Sequence, residues 1–224
     1  MDLLLQSSFL SPLRLTLLVA GQATVAALLL GVGVAYAMGR YRFVGRDMLD
    51  AILTLPLVLP PTVLGYYILV LVGRRGLLGA WLYETFGVQL VFSVHGAVLA
   101  ATVVSFPMVF KSARAALEGV GENFQNAARS MGASELKVFV RVTLPLAMRG
   151  IAAGTMLAFA RAMGEFGATL MVAGNLPGKT QTLSLAVYSA VQAGQDDLAN
   201  LLVCVISVVC VAILVLSSKL ITLR

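Results

Sequence analysis

The stretch NAARSMGASELKVFVRVTLP, residues 126–145, is a polar segment between two strongly apolar parts of the chain. The apolar parts are hydrophobic enough to lie in lipid, so the charged residues between them must face an aqueous phase. We therefore interpret the polar loop at residues 111–149 as a surface that the protein presents to another molecule. Another protein that docks there is the simplest explanation.

The composition indicates that most of the chain lies in lipid. Apolar residues make up 59% of the 224 residues, charged residues make up 12%, and the mean hydropathy is +0.94. A helix needs about 20 apolar residues to cross a hydrocarbon core of roughly 30 Å. Five stretches reach that length, at about residues 13–39, 49–72, 93–113, 148–173 and 198–218. Because the alternating segments of a membrane β-barrel are absent from the sequence, we predict an all-α polytopic membrane protein, with residues 1–224 as a single transmembrane domain.

The positions of Lys and Arg predict the orientation of the spans. Cytoplasmic loops carry an excess of both residues near the ends of spans. Most of the 16 basic residues fall on one side of the membrane, so we expect the amino terminus outside and the polar loop and carboxyl terminus in the cytoplasm. The net charge of +6 then reflects topology and does not indicate nucleic-acid binding, because no compact basic domain exists. The cytoplasmic group consists of Arg40, Arg42, Arg46, Lys111, Arg114, Arg129, Lys137, Arg141, Arg149, Lys219 and Arg224.

Glycine, serine and proline divide the polar loop into two short predicted helices. Residues 124–131 contain no helix breaker and precede Gly132, which suits the left-handed position just past a helix end. Ser134 can cap a second helix that begins at Glu135, with Arg141 near its negative end. Pro145 marks the return to the membrane.

The first of these helices is shaped for docking. Ala127 and Ala128 leave one side with little bulk, so that a partner can approach the backbone closely. Asn126 and Arg129 offer directional polar contacts on the same helix.

The loop resembles the cytoplasmic coupling motif of permease subunits in binding-protein-dependent ABC importers. The matching pattern is Ala-Ala, three residues, Gly, nine residues and Val-x-Leu-Pro. Asn126 stands where an acidic residue often opens the motif. The resemblance implies the type I importer permease fold, with a coupling loop at about 114–147 that docks on a dimer of cytoplasmic ATPases. The residues that match the pattern are Ala127, Ala128, Gly132, Val142, Leu144 and Pro145.

Two further stretches narrow the resemblance. LPLVLPPTVLGYYILVLVGRRG, residues 55–76, and FARAMGEFGATLMVAGNLPGKTQTL, residues 159–183, look like the molybdate permeases, with tungstate and sulfate permeases as close relatives. This likeness implies a homodimer in a bacterial plasma membrane, served by an external oxyanion-binding protein. It also implies that ATP and magnesium bind to the partner ATPase, so that this chain has no cofactor and no catalytic residue.

Prolines in the second span point to a translocation path. Pro56, Pro60 and Pro61 each remove a backbone donor, and their rings kink a helix or open it locally. Carbonyls freed in this way are tolerated at membrane depth where protein or a water-filled cavity satisfies them. A simple packing kink is the alternative explanation.

The fourth span carries a charged pair. Arg161 and Glu165 are four residues apart and therefore share one helical face. A charge that faces lipid costs at least about 2.5–3.5 kcal/mol by insertion scales, so both side chains should face protein or water and neutralise each other. We expect the pair either to line the path of an oxyanion or to be purely structural. Along a path, an Arg weakened by Glu165 would let a dianion pass without deep binding.

Other functional classes find little support in the sequence. The stretch AGNLPGKT, residues 173–180, imitates a phosphate-binding loop, but it follows a membrane helix where such a loop needs a strand, so an exposed turn is the better interpretation. His95 is the only histidine, which disfavours a multi-histidine metal site or a histidine-activated nucleophile. A self-sufficient channel or intramembrane enzyme is the remaining alternative.

Overall fold

The computed structural model describes residues 2–41 and 43–222, and side chains are described for residues 9–41 and 43–215. Arg42 and Arg224, two of the expected cytoplasmic cations, lie outside the described residues, as does the side chain of Lys219. Within the described residues every regular element is a helix, which agrees with the predicted all-α class.

Eleven α-helices follow one another along the described chain. The first six are α1 (Asp2–Arg40), α2 (Arg46–Thr54), α3 (Pro61–Val72), α4 (Leu77–Phe86), α5 (Val94–Glu118) and α6 (Glu122–Ser130). The others are α7 (Glu135–Val138), α8 (Leu144–Met163), α9 (Gly167–Ala173), α10 (Leu183–Gln192) and α11 (Asp196–Thr222).

Four continuous segments are long and apolar enough to cross a membrane, and a fifth is a bent pair. The continuous ones are Phe9–Arg40, Val94–Glu118, Glu135–Met163 and Asp196–Val215, and the bent pair joins Arg46–Leu57 to Pro61–Val72. Counting that pair as one span gives the predicted number of five.

The second predicted span, residues 49–72, is two helices and not one, in agreement with the local opening predicted at its prolines. After α2 the chain forms a 3-10 turn, Leu55–Leu57, and α3 then leaves at 112° to the preceding segment. Pro56 lies in the 3-10 turn, Pro60 takes an extended conformation (φ −55°, ψ 136°), and Pro61 begins α3. Two consecutive residues without an N–H cannot continue the helical hydrogen-bond ladder, so the prolines break the span here and do more than kink it.

The fourth predicted span, residues 148–173, also differs from one continuous helix. The helical segment begins earlier, at Glu135, and ends at Met163, and α9 follows only after a break at residues 164–166. Gly164 ends α8, and Gly167 begins α9. Glycine weakens a helix by about 1 kcal/mol relative to alanine, so the break falls where the sequence supports a helix least.

Small residues allow α1, α5 and α8 to pack closely. A Cβ atom added to Gly154 would lie 2.3 Å from the Cβ of Ser112, and one added to Gly150 would lie 2.6 Å from the Cβ of Ala116. The two glycines form a small-xxx-small pair, which brings the backbone of α8 close to α5.

The loop that follows α9 holds the stretch that imitates a phosphate-binding loop. It follows a helix, as expected, and Gly178 occupies the left-handed region with φ +73°. The Asn175 amide donates a hydrogen bond to Ser189 Oγ on α10 over 2.7 Å. Nearby, the backbone N–H of Leu183 donates to Thr16 Oγ1 over 2.8 Å, so the start of α10 is fastened to α1.

Candidate functional site

Helix α6 forms the core of the predicted coupling motif and carries Asn126, Ala127, Ala128 and Arg129. The helix ends at Ser130, and Gly132 follows with φ +78°, as predicted for a residue just past a helix end. The N–H of Gly132 donates to Arg129 O over 2.9 Å and that of Ala133 to Ala128 O over 3.1 Å. These bonds satisfy carbonyls that the helix end would leave free.

The second predicted cytoplasmic helix is not a separate element. Ser134 occupies the position before Glu135, but its side chain makes no capping hydrogen bond. From Glu135 the chain continues through a π-helical turn, Phe139–Thr143, into α8. Arg141 therefore lies in the interior of a long helix and not near a negative helix end, contrary to the prediction.

The remaining motif residues lie at the start of α8. Val142 is in the π-helical turn, whereas Leu144 and Pro145 are in the first turn of α8. Pro145 has no N–H, and its ring would crowd the carbonyl of Arg141, so a wider turn directly before it accommodates the proline without ending the helix. The motif thus spans a short helix, a tight turn and the start of a membrane span.

The two alanines of α6 face different ways. Ala128 is buried, and Ala127 is exposed. Ala127 lies in a row with Phe124 and Met131, whose side chains are 62% and 82% exposed. Residues spaced by three and seven positions share one helical face, so α6 presents an apolar row outward. Phe124 and Met131 were not among the predicted contact residues, although two large apolar residues seven positions apart in a polar loop are a usable signal.

Arg129 makes its described polar contacts within the chain. Its Nε lies 2.9 Å from Glu135 Oε1, its Nη2 lies 3.3 Å from Glu135 Oε2, and its Nη1 donates to Asn126 Oδ1 over 2.8 Å. The hydrogen bond to the Glu135 carboxylate raises the pKa of the Arg129 guanidinium. Glu135 also accepts from Arg40 Nη1 over 2.7 Å, so one carboxylate joins α6 to the end of α1.

A second charged cluster fastens α2 to the end of α5. The Asp50 carboxylate pairs with Lys111 on one oxygen and with Arg114 on the other. Glu118 Oε1 accepts from both Arg114 and Arg46, each over 3.0 Å. No residue of α2 is fully buried, although Leu53 packs against the core, so these ion pairs supplement a small apolar contact. Asp50 and Lys111 are 61 residues apart, and no local pattern predicts their contact.

The breaks of the second and fourth spans meet. A Cβ atom added to Gly167, the first residue of α9, would lie 3.0 Å from Pro61 Cβ and 3.2 Å from Thr62 N at the start of α3. Farther along, a Cβ atom added to Gly65 would lie 2.8 Å from Ala168 Cα. The prolines of the second span therefore lie against α9. Glu165 of the charged pair contacts the first turn of the same helix.

Arg161 and Glu165 pair as predicted, but they do not share one helical face, because α8 ends at Met163 and Glu165 lies in the break that follows. Arg161 Nη1 lies 2.7 Å from Glu165 Oε2, and the Glu165 side chain is 1% exposed while that of Arg161 is 30% exposed. This contact is an ion pair that is not aligned as a hydrogen bond, so Oε2 has no hydrogen-bond donor among the described residues. The other oxygen, Oε1, accepts the N–H of Ala168 over 2.8 Å. Glu165 thus forms an ion pair with Arg161 and also accepts a backbone hydrogen bond from the first turn of α9.

Comparison with known proteins places these features in a family. Residues 12–223 match the family described as the binding-protein-dependent transport system inner membrane component. The molybdenum transport system permease protein ModB of Escherichia coli strain K12 is 45% identical over 205 residues, which cover 92% of this chain and 90% of that protein. The sulfate transport system permease protein CysW of Synechocystis sp. is 35% identical over 209 residues, covering 93% of this chain and 75% of that protein.

Solved structures agree on the fold. An inward-facing structure of the MetNI methionine ABC transporter contains a chain that matches with a TM-score of 0.73 at 15% identity, covering 96% of this chain and 94% of that one. A bacterial alginate ABC transporter in complex with an alginate-bound periplasmic protein matches with a TM-score of 0.73, also at 15% identity, covering 93% and 76%. With residues 12–223 matched and the fold shared, this chain is a multi-pass inner-membrane protein that belongs to the family of binding-protein-dependent transport system inner membrane components.

Proposed function

We propose that this chain is the membrane-spanning subunit of an ABC importer that moves molybdate into the cytoplasm. The observation that carries the proposal is the protrusion of α6, whose outward face is the apolar row of Phe124, Ala127 and Met131. Exposed apolar side chains on a helix that is otherwise polar fit a groove on a protein partner. ATP hydrolysis takes place on that partner, an ATPase present as a dimer, and this chain needs no cofactor of its own.

Molybdate is the proposed substrate because of the 45% identity to a protein named as a molybdenum permease. The 35% identity to a sulfate permease supports sulfate as the second candidate. Tungstate has the same tetrahedral dianionic form. An external binding protein selects among these anions before it delivers one to the permease.

The proposed path passes the meeting point of the two broken spans. Backbone groups freed at Pro60 and Pro61 need a polar environment at membrane depth. Glu165 contacts the first turn of α9, which lies against Pro61, and its partner Arg161 keeps 30% of its side chain exposed. Glu165 reduces the charge that a dianion meets there. A weaker site favours passage over retention, as conduction requires.

The wider assembly follows from the same proposal. Two copies of the chain form the pathway between them, with α6 of each on the cytoplasmic side and the loop at residues 174–182 outside. The amino terminus lies outside and the carboxyl terminus inside, as the distribution of Lys and Arg indicates.

Reconstitution in liposomes tests the function. The chain, its cognate ATPase and its binding protein are combined, and uptake of radiolabelled molybdate is measured with and without ATP inside the vesicles. ATP-dependent uptake that unlabelled molybdate outcompetes more strongly than sulfate supports the proposal, and the reverse order makes the chain a sulfate importer subunit. Uptake in vesicles that contain the chain alone would instead identify a self-sufficient channel.

A further inference from the structure

Helix α6 has few attachments to the rest of the described structure. Ala128 is its only buried residue among the described side chains. The helix follows residues 119–121 and precedes the turn at residues 131–134, neither of which is helical. A helix held only by one alanine and two short connections would move without moving the spans, so a further attachment is needed if it is to transmit force.

Glu135 supplies that attachment. Its two oxygens accept from Nε and Nη2 of Arg129, which is the two-point geometry that a guanidinium and a carboxylate form. Its Oε2 also accepts from Arg40 Nη1 in the last turn of α1. One carboxylate therefore ties the coupling helix to the first span, although Arg40 and Glu135 are separated by 95 residues in the chain.

A ring contact lies beside the ion pairs. The rings of Tyr36 on α1 and Phe139 in the π-helical turn have centroids 4.0 Å apart. Together with the ion pairs they border a polar cavity of about 430 Å³ between α1, α6 and the root of α8. The end of α1 thus contacts the coupling segment through two different side chains, one charged and one aromatic.

The three charged side chains are exposed enough that the ion pairs contribute little to the stability of the fold. A bidentate pair mainly fixes the relative orientation of its two side chains, because a planar guanidinium and a planar carboxylate form two parallel hydrogen bonds. The arrangement is therefore suited to setting the angle of α6 relative to α1.

We propose that Glu135 is a positioning residue that clamps the coupling helix to the cytoplasmic end of α1, so that a displacement of α6 by the ATPase reaches the first span directly. This inference rests on the proposed function for the source of the displacement. Without the clamp, displacement of α6 passes first to the start of α8 through the connecting chain, and it reaches α1 only indirectly, through the Tyr36–Phe139 contact and the packing of α8. The two routes predict different effects of removing the clamp on the orientation of α6 and on the amount of molybdate moved per ATP hydrolysed.

The first measurement uses the purified chain. Spin labels are attached at Gly39→Cys on α1 and Ser130→Cys on α6, in a background where Cys204 and Cys210 are replaced by Ala. We expect a narrow distribution of distances between the labels in the parent, a distribution at least twice as wide in Glu135→Gln, and recovery in Glu135→Asp. Lys137→Gln removes an exposed charge from the same short helix and should match the parent.

The second measurement uses the reconstituted importer, and it reports molybdate moved per ATP hydrolysed. We expect Glu135→Gln and Arg40→Gln each to lower this ratio at least threefold, while ATPase binding and hydrolysis continue. The transport ratio of the double variant should fall no further than that of either single variant, because both substitutions break the same clamp.

The two measurements separate the clamp from the proposed function. A parental distance distribution in Glu135→Gln, or a parental transport ratio in both single variants, would overturn the clamp. A parent importer that moves no molybdate would instead overturn the proposed function, and the label distances would still decide whether Glu135 orients α6.

Discussion

Gly167 lies directly against Pro61: a Cβ atom added to the glycine would come within 3.0 Å of the proline Cβ. The contact joins the first residue of α9 to the first residue of α3. Two membrane spans are therefore broken at the same place in the structure, and each break is accommodated by the other. The proposed path depends on this close approach, because a helix forced away here would separate the Arg161 region from the prolines.

Replacing Gly65 by Ala should destabilise the protein. The added Cβ would meet Ala168 Cα and Met171 Cβ, each at 2.8 Å, and the first of these belongs to the backbone, which cannot rotate away. We expect a loss of about 1–3 kcal/mol in the free energy of unfolding, as for other overpacked sites. The melting temperature in detergent measures this loss.

Gly33→Ala is the matched control, because a Cβ atom on Gly33 would meet nothing within 4 Å and the residue lies in α1. There the same substitution should stabilise the helix by up to about 1 kcal/mol. Equal shifts in the two variants would show that α3 and α9 are not closely packed.

Removing either charge of the Arg161–Glu165 pair should be worse than removing both. Glu165→Gln can still accept the N–H of Ala168, so it isolates the loss of the ion pair. Breaking a buried pair costs about 3–5 kcal/mol, and we expect somewhat less here because the Arg161 side chain is 30% exposed. Thermal unfolding of Glu165→Gln, Arg161→Gln and the double variant measures the interaction between the two residues.

Transport by the same three variants distinguishes a path from a packing role. If the pair lines the path, Glu165→Gln leaves Arg161 to retain the dianion, so that uptake slows while the concentration for half-maximal uptake falls. If the losses of uptake in the two single variants simply add in the double variant, the two side chains do not interact during transport.

Asp50→Asn should loosen α2. An asparagine leaves Lys111 and Arg114 facing each other without the carboxylate that both contact, and the helix has no buried residue to hold it. We expect amide hydrogens of residues 46–54 to exchange at least several-fold faster, because local opening follows the loss of local contacts. Asp47→Asn changes an exposed acid of the same helix and is the control. Unchanged exchange in Asp50→Asn would mean that the ion pairs do not fasten α2.

The sequence was sufficient for those features that depend on neighbouring residues. Apolar length identified the spans, and the requirement for a left-handed residue identified the turn at Gly132. The spacing of Arg161 and Glu165 identified their ion pair. The breaks in the second and fourth spans were harder to predict, because a run of apolar residues looks the same in one continuous helix and in two shorter helices. Only the adjacent Pro60 and Pro61, and the two glycines around Glu165, mark where the ladder stops.

Contacts between distant parts of the chain could not be predicted in this way. Arg129 was predicted to offer directional polar contacts on the docking helix, and that role toward a partner stays a prediction. Within the chain Arg129 pairs with Glu135, six residues away, whereas the same carboxylate also pairs with Arg40 at the end of α1, 95 residues away, and that contact depends on where the end of α1 lies in space. Nothing in the local pattern encodes that position. The same is true of Asp50, whose partners lie on another helix.

The apolar row of α6 leads to the last prediction. Phe124 on α6 and Met131, directly after its last residue, are exposed on the same side of the segment. If this face enters a groove on the ATPase, then Phe124→Glu places a charge in an apolar contact, which costs several kcal/mol when no partner is supplied. We expect co-purification of the ATPase to fall at least tenfold, without a change in the melting temperature of the chain. Leu136→Glu makes the same substitution at a residue 71% exposed on α7 and should retain the ATPase. Retention in Phe124→Glu as well would show that the ATPase contacts another part of the cytoplasmic surface.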